Sequence, residues 1–92
     1  MRVRLTRRAA RDLEEIHTFL HERNPRAATA FVQAVRKALL NLAEQPLSGM
    51  QTDDPAVRVK LVRKFHYKIF YGVGSQIEVL HIRHPARRPE WR

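Results

Sequence analysis

Hydrophobic positions recur with the period of an α-helix in the first half of the chain. Between residues 7 and 23 the apolar side chains are spaced by four, three and four positions, as Ala9, Leu13, Ile16 and Leu20. Residues at this spacing lie on one face of a helix. Thr6, shortly before them, is a residue type that favours the helix N-cap. The pattern predicts a helix over residues 7–23 with one buried face.

A second helical pattern follows almost at once. Asn24 and Pro25 are typical of an N-cap and of the first helical position, where the missing proline N–H costs nothing. The apolar positions up to Pro46 again fit one helical face: Ala28, Phe31, Val35, Ala38, Leu39 and Leu42. Two helices joined by so short a connection form an antiparallel hairpin.

Strand patterns with a period of two lie on both sides of this helical region. Val3 and Leu5 alternate with arginines, which predicts a short first strand. Near the C-terminus, the runs 65–73 and 76–83 are rich in aromatic and β-branched side chains, which predicts two further strands. The Gly74-Ser75 dipeptide between them fits a two-residue hairpin turn with glycine first.

Residues 46–55 carry no periodic pattern and are predicted as a loop. The run after them alternates between apolar and basic residues, namely Val57, Arg58, Val59, Lys60 and Leu61. This predicts a strand whose apolar side chains are half-buried and whose opposite face is basic. The whole pattern predicts an α+β fold in the order β-α-α-β-β-β, in which a helical hairpin packs on one face of a small, mainly antiparallel sheet.

Length and composition narrow the class of protein. The chain has 92 residues and no cysteine, which predicts a single domain over residues 1–92 and excludes a disulfide scaffold and thiolate chemistry. Its apolar stretches fall far short of the roughly 18 residues that would span a bilayer. The arginine-rich N-terminus lacks the apolar segment of a secretory signal. We therefore expect a cytoplasmic protein with no membrane contact.

The net charge of +9 is concentrated at the two ends of the chain. Residues 1–11 hold five arginines and no acid, and residues 58–92 hold nine lysines or arginines against two acids. If the ends meet in the fold, they form one positive surface suited to a nucleic acid or to an acidic protein segment.

The order of the sequence landmarks resembles the RelE/ParE toxins of bacterial type II toxin–antitoxin pairs over nearly the whole chain. No single landmark is specific, but their joint order is. They are Ala10, Asp12-Leu13 and Ile16, then Asn24-Pro25, Ala27-Ala28 and Phe31, then Leu42, Pro46, Gly49 and Arg58, then the strands 67–71 and 77–82, and last His84 followed by Arg87. The ending RHPARRP at residues 83–89 resembles the close of the ParE-like branch.

This resemblance implies a growth-inhibiting toxin that an acidic cognate antitoxin, ParD-like or similar, holds inactive in a toxin–antitoxin hetero-oligomer. The two branches of the family differ in target. RelE-like members cut messenger RNA on the ribosome, whereas ParE-like members inhibit DNA gyrase by binding and are not enzymes. We expect no cofactor in either case. A basic nucleic-acid-binding module with no toxin role is a third interpretation of the charge.

If the protein is a ribonuclease, the resemblance assigns catalysis to Lys68, Arg83 and His84. The cations would stabilise charge on the phosphate, and the histidine would move a proton. Arg58 and Lys60 share a strand face and are predicted to extend this cluster. These ribonucleases usually add a C-terminal Tyr or His, or a Glu, as acid or base, and the residues after His84 include no tyrosine. We therefore favour inhibition of DNA gyrase by binding over RNA cleavage.

The predicted binding residues fall into two groups. Target binding is assigned to the basic strand and to the C-terminal tail of about residues 85–92, through Arg58, Lys60, Arg87, Arg88 and Trp91. Antitoxin binding is assigned to the second helix and to the basic start of the first, through Ala28, Phe31, Val35, Arg7, Arg8 and Arg11.

Other chemistry has little support in the sequence. His17 and His21 are four residues apart on the first helix, but no third metal ligand is evident, so both are predicted to face solvent and no metal site is expected. The serines and threonines have no neighbouring general-base pattern, which argues against a serine hydrolase.

Overall fold

Residues 1–84, which the computed structural model describes, form two helices and five strands. In chain order these are β1 (Val3–Leu5), α1 (Arg7–Arg23), α2 (Pro25–Glu44), β2 (Met50–Gln51), β3 (Arg58–Val62), β4 (Tyr67–Val73) and β5 (Ile77–Arg83). Both helices and four of these strands lie where the hydrophobic pattern predicts them, so the predicted α+β fold is confirmed. The two-residue strand β2 lies in the segment that was predicted to be a loop.

Side-chain caps fix where both helices begin. The hydroxyl oxygen of Thr6 accepts a hydrogen bond from the N–H of Ala9 at 3.2 Å, and Asn24 Oδ1 accepts one from the N–H of Arg26 at 3.1 Å. Pro25 is the first residue of α2. Each cap satisfies N–H groups that a helix cannot pair internally, which is typically worth about 1 kcal/mol. The predicted caps are confirmed.

The five strands form one mixed sheet in the order β1-β5-β4-β3-β2. β1 is parallel to β5, and the other neighbours are antiparallel. Residues 74–76 join β4 to β5, because Val73 pairs with Ile77. No glycine in the described part of the chain has a positive φ angle, whereas a two-residue turn with glycine first requires one. The predicted two-residue turn with Gly74 first is therefore wrong.

The core lies between the helical hairpin and one face of the sheet. Its buried residues are Ala9 and Ile16 of α1, Ala28, Phe31, Val35 and Leu42 of α2, and Val62, Tyr67, Ile69, Tyr71, Ile77, Val79 and Ile82 of the sheet. The other apolar positions predicted for the helix faces pack against this core, so both predicted faces are confirmed. Neither of the helices in residues 1–84 is long and apolar enough to cross a membrane.

Strand β3 has its faces the other way round from the prediction. Val62 is fully buried and Leu61 is 48% exposed, so Arg58 and Lys60, which share a face with Val62, lie on the side of the helices. Their register partners on β4 are both core residues. These two cations cannot extend a cluster with Lys68, which lies on the opposite face of the sheet.

Both cations are held by neutral oxygen atoms near the turn that follows α2. Arg58 Nη1 donates to the carbonyl oxygen of Gly49 at 2.8 Å, and Lys60 Nζ donates to Asn41 Oδ1 at 2.7 Å and to Ser48 Oγ at 3.2 Å. Long basic side chains can lie on an inner face in this way, because their stems cover apolar surface while their charged ends reach polar groups. This packing accounts for the reversed faces of β3.

Gly49 is packed closely against the Tyr71 side chain. Its N–H donates to the Tyr71 hydroxyl oxygen at 2.9 Å, and that hydroxyl donates to the carbonyl oxygen of Pro46 at 2.8 Å. Tyr71 is fully buried. The tyrosine therefore ties the turn after α2 to the centre of the sheet.

We expect Gly49→Ala to lower the free energy of unfolding by about 1–3 kcal/mol, the range for an overpacked site. The new Cβ would contact the Tyr71 hydroxyl and would lie 2.7 Å from the tyrosine ring and 2.8 Å from the carbonyl oxygen of Val59. Denaturant melts measure the loss. Gly74→Ala is the control, since its Cβ would meet its nearest neighbour at 4.0 Å. Equal losses in the two variants would contradict the packing argument.

Candidate functional site

The face of the sheet that points away from the helices carries basic and apolar residues side by side. This open face includes Met50, Val59, Leu61, Lys68, Phe70, His81 and Arg83, together with Glu78 of β5. In β4, Lys68 and Phe70 alternate with buried core residues. The register pairs Lys68 with Arg83 and Phe70 with His81, and register partners lie next to each other on one face. Two of the predicted catalytic residues, Lys68 and Arg83, are therefore brought together here.

The part of the open face nearest to β2 is apolar. Met50 is 73% exposed and Leu61 is 48% exposed. Val59 lies between Met50 and Phe70 in the register of the sheet. Neighbouring large apolar side chains that stay exposed are typical of a binding surface.

His81 lies beside the cations of the open face and was not among the predicted site residues. Its ring stacks on the Phe70 ring, with centroids 4.4 Å apart and planes 11° apart. Partial burial lowers the pKa of His81, as do the charges of Arg8 and Arg83, whereas Asp12 acts in the opposite direction. The sequence did contain a signal, because residues two apart on a strand share a face and His81 is two residues before Arg83.

The lowered pKa of His81 makes stability depend on pH. The unfolded chain binds a proton at this residue more tightly than the folded chain, so stability rises with pH. The contribution of neutral His81 is complete above the ordinary pKa of 6.5 and is lost as the pH falls towards the lowered pKa. We expect His81→Gln to lose less of its free energy of unfolding than the wild type between about pH 7.5 and about pH 5. Denaturant melts at each pH measure this, and identical pH profiles would contradict it.

His84 does not join Lys68 and Arg83. Its ring contacts the ring of Tyr67 at a centroid distance of 4.9 Å and that of Phe19 at 5.9 Å, both edge to face. Tyr67 belongs to the core and Phe19 lies on α1, so His84 is on the helical side of the sheet. The predicted catalytic set is therefore split between the two faces.

The first turns of α1 cover the edge of β5 where β1 ends. The N–H of Ile82 donates to Asp12 Oδ2 at 2.9 Å, and the hydroxyl of Thr6 donates to the carbonyl oxygen of Val79 at 2.8 Å. Side chains that satisfy edge groups prevent unwanted strand pairing. They also hold the start of α1 beside the open face. The exposed cations of these turns are Arg7, Arg8 and Arg11.

A groove of about 550 Å³ lies between the two helices, next to β1. This helical groove is lined by Val3, Leu13, Glu14, His17, Val32, Val35, Arg36, Leu39, Leu40 and Ala43. Its most exposed apolar residues are Val32 at 46% and Leu40 at 62%. The groove is thus a second candidate surface, on the other side of the molecule from the open face.

Of the antitoxin contacts predicted on α2, only Val35 lines the helical groove. Ala28 and Phe31 are 0% exposed, so no partner can contact them while the core is intact. The helical spacing from which Ala28 and Phe31 were predicted instead identifies the face of α2 that packs on the sheet. The groove instead uses Val32 and Leu40, which follow core-facing positions by one residue and are therefore turned by about 100° around the helix axis.

The remaining residues singled out by the sequence are two histidines and the C-terminal tail. His17 and His21 stack with ring centroids 5.7 Å apart; His21 is exposed and His17 lines the helical groove. Residues 1–84 contain no group of three or more metal-ligating side chains that could hold a metal ion. The tail residues Arg87, Arg88 and Trp91 lie outside the described residues.

Comparison with known proteins identifies the family. Residues 3–89 match the family described as the ParE toxin of the type II toxin–antitoxin system parDE. A protein of Sinorhizobium fredii, Y4kP, whose name marks it as a candidate toxin, is 32% identical over 90% of this chain and 86% of its own. Toxin ParE1 of Caulobacter vibrioides is 26% identical over 90% of this chain and 88% of its own.

A solved structure has the same fold. A chain of the chromosomal ParDE toxin–antitoxin system from P. aeruginosa superposes with a TM-score of 0.79 at 25% identity, covering 91% of this chain and 95% of that one. This agreement in fold and sequence confirms the resemblance read from the order of the landmarks. The chain belongs to the ParE family of toxins of type II toxin–antitoxin systems.

Proposed function

We propose that this ParE toxin inhibits DNA gyrase by binding it and is not an enzyme. Gyrase inhibition is the activity that resemblance to the ParE-like branch implies. The observation that carries the proposal is the separation of His84 from Lys68 and Arg83. RNA cleavage needs a group that moves a proton as well as cations that hold the phosphate. The exposed Met50 and Leu61 on the open face instead suit contact with a protein.

We further propose that an acidic, ParD-like antitoxin holds the toxin inactive in a hetero-oligomer, with an amphipathic helix in the helical groove. A helix of this kind places its apolar face in a groove on its partner. The apolar lining of the groove supports this, and the net charge of +9 favours an acidic partner. Coexpression should then give a stable complex that weakens with salt.

A ribosome-dependent endoribonuclease is the second candidate function, and one observation favours it. His81 lies on the open face with Lys68 and Arg83, and its lowered pKa favours the neutral form that can accept a proton. The ring of His81, however, lies flat against Phe70 at 4.4 Å, which restricts how it could approach a substrate.

Two assays on one set of variants test the choice. The first measures supercoiling of relaxed plasmid by purified gyrase in the presence of the toxin. The second maps the ends of cellular messages by primer extension after toxin induction. We expect the wild type to stop supercoiling and to produce no codon-specific cuts.

His84→Phe separates packing from proton transfer, because phenylalanine keeps an aromatic ring between Tyr67 and Phe19. We expect this variant to inhibit gyrase like the wild type. Codon-specific cuts that fall by about 10²- to 10⁴-fold in His84→Phe or His81→Gln, the usual effect of removing an acid–base group, would instead establish the ribonuclease.

A further inference from the structure

The open face is divided into an apolar half and a cationic half. Met50 and Leu61 lie on β2 and β3, whereas Lys68 and Arg83 lie on β4 and β5, with Phe70 between the two halves. Leu61, Lys68 and Arg83 form one row across the sheet. Because neighbouring strands are about 4.8 Å apart, the first and last members of this row are about 10 Å apart.

The carboxylate that β5 places on the open face, Glu78, lies in an ion pair. Its partner is Arg4, whose Nη1 lies 2.8 Å from Glu78 Oε2. After burial, the charge of Arg8 is the largest cause of the lowered pKa of His81. Arg8 therefore adds positive potential to the open face, which the charge of Asp12 opposes.

We propose that the open face is the target-binding surface of the toxin and that its occupant is an acidic, amphipathic protein segment. This inference rests on the proposed function and adds the surface and the chemistry of the contact. The occupant presents an apolar side chain to Met50 and Leu61 and carboxylates to Lys68 and Arg83. The 10 Å from Leu61 to Arg83 corresponds to about three residues of an extended segment or about seven of a helix.

A single-stranded nucleic acid fits this surface less well than a protein segment. Proteins that bind single strands commonly stack bases on aromatic rings, and one face of the Phe70 ring is already covered by His81 at 4.4 Å. The exposed apolar residues, Met50 and Leu61, are not aromatic and offer no stacking platform. They are suited to contact with apolar side chains.

Charge reversal on the open face tests the inference. We expect Lys68→Glu to weaken binding to purified gyrase at least tenfold, because it places like charges against an acidic segment. Lys37→Glu is the matched control, since it makes the same change at an exposed position on α2 outside the helical groove. Thermal unfolding monitors the fold of both. If gyrase binds the wild type and Lys68→Glu equally, the inference fails while gyrase inhibition stands.

A peptide probe tests the surface independently of gyrase. The ¹⁵N-labelled toxin is titrated with a synthetic peptide that carries one leucine and two glutamates, spaced as an extended segment across the open face would require. A parallel titration uses a single-stranded RNA oligonucleotide. We expect the peptide to shift the amide signals of Leu61, Lys68 and Arg83 and to lose this effect with Lys68→Glu.

The outcomes of the two assays separate the surface from the target. If the peptide shifts amide signals of the open face but the toxin does not bind gyrase, the open face is supported as a binding surface and gyrase is rejected as the partner. Peptide shifts confined to other parts of the toxin would overturn the inference. So would tighter binding of the oligonucleotide to the same residues, which would assign the open face to nucleic acid.

Discussion

Replacing Leu40 with glutamate should strongly weaken the complex between the toxin and its antitoxin while leaving the fold of the toxin intact. Leu40 lines the helical groove and is 62% exposed, so the change removes little core packing, and the two residue types have similar helix propensities. In the proposed complex the new carboxylate would be buried against an apolar helix face, which costs several kcal/mol. We expect the affinity to fall by at least about 10²-fold, measured by calorimetry and by copurification.

Leu47→Glu is the matched control for this prediction. Leu47 is 64% exposed and lies in the turn after α2, outside the groove, so the same charge is introduced at a leucine of similar exposure. Circular dichroism melts verify the fold of both variants. A Leu40→Glu toxin that copurifies with the antitoxin, or an equal loss of binding with Leu47→Glu, would remove the groove as the antitoxin site.

The helices were predictable because two independent local signals agree. The apolar spacing of α1 gives its buried face, and Thr6 marks its start by satisfying the N–H of Ala9. Strand β3 shows a feature that the local sequence pattern does not determine, namely which face of the strand is buried. Its alternation establishes that Arg58 and Lys60 share a face, but the buried side of that strand depends on Asn41, which is distant in sequence. A tertiary contact of this kind leaves no periodic signal.

The candidate site was predictable only where strand geometry applies. Lys68 and Arg83 lie together because the register pairs them, and their assignment came from the family resemblance. His84 follows Arg83 by one residue, so the two-residue period of a strand points it to the opposite face. By the same two-residue period His81 also lies on the open face, although it was not among the predicted site residues. The helical groove depends on how two helices pack, and Leu40 alone does not reveal that packing.

The two proposed surfaces lie on opposite sides of the sheet, which constrains how neutralisation could work. An antitoxin helix confined to the helical groove would leave Lys68 and Leu61 uncovered and the target-binding surface available. If both proposed surfaces are correct, covering the target-binding surface directly requires a second antitoxin segment that passes around an edge of the sheet. The edge beside β5 is occupied by α1 through Asp12 and Thr6, whereas the opposite edge ends in the two-residue strand β2. We expect the second segment to pass the β2 edge.

Replacing Arg87, Arg88 and Trp91 together with alanine should abolish toxicity. Arg83, the last residue of β5, belongs to the cationic half of the open face, and these three residues follow it closely in sequence. Tryptophan and arginine are the side chains most often found to dominate binding at protein interfaces, at about 2 kcal/mol or more each. Losing all three should lower the affinity for the target by at least about 10³-fold. Growth after induction and gyrase supercoiling measure the effect.

The control for the tail separates its position from its charge. Arg26→Ala combined with Lys37→Ala removes two positive charges from exposed positions on α2, so both variants lower the net charge of +9 by two. If the tail acts through direct contact, the α2 variant should stay toxic while the tail variant does not. If the tail contributes only to the net charge of the protein, the two variants should lose toxicity together, because both lower that charge by two. A tail variant that arrests growth like the wild type would show that Trp91 and its neighbouring arginines take no part in target binding, and the open face alone would then have to supply the affinity.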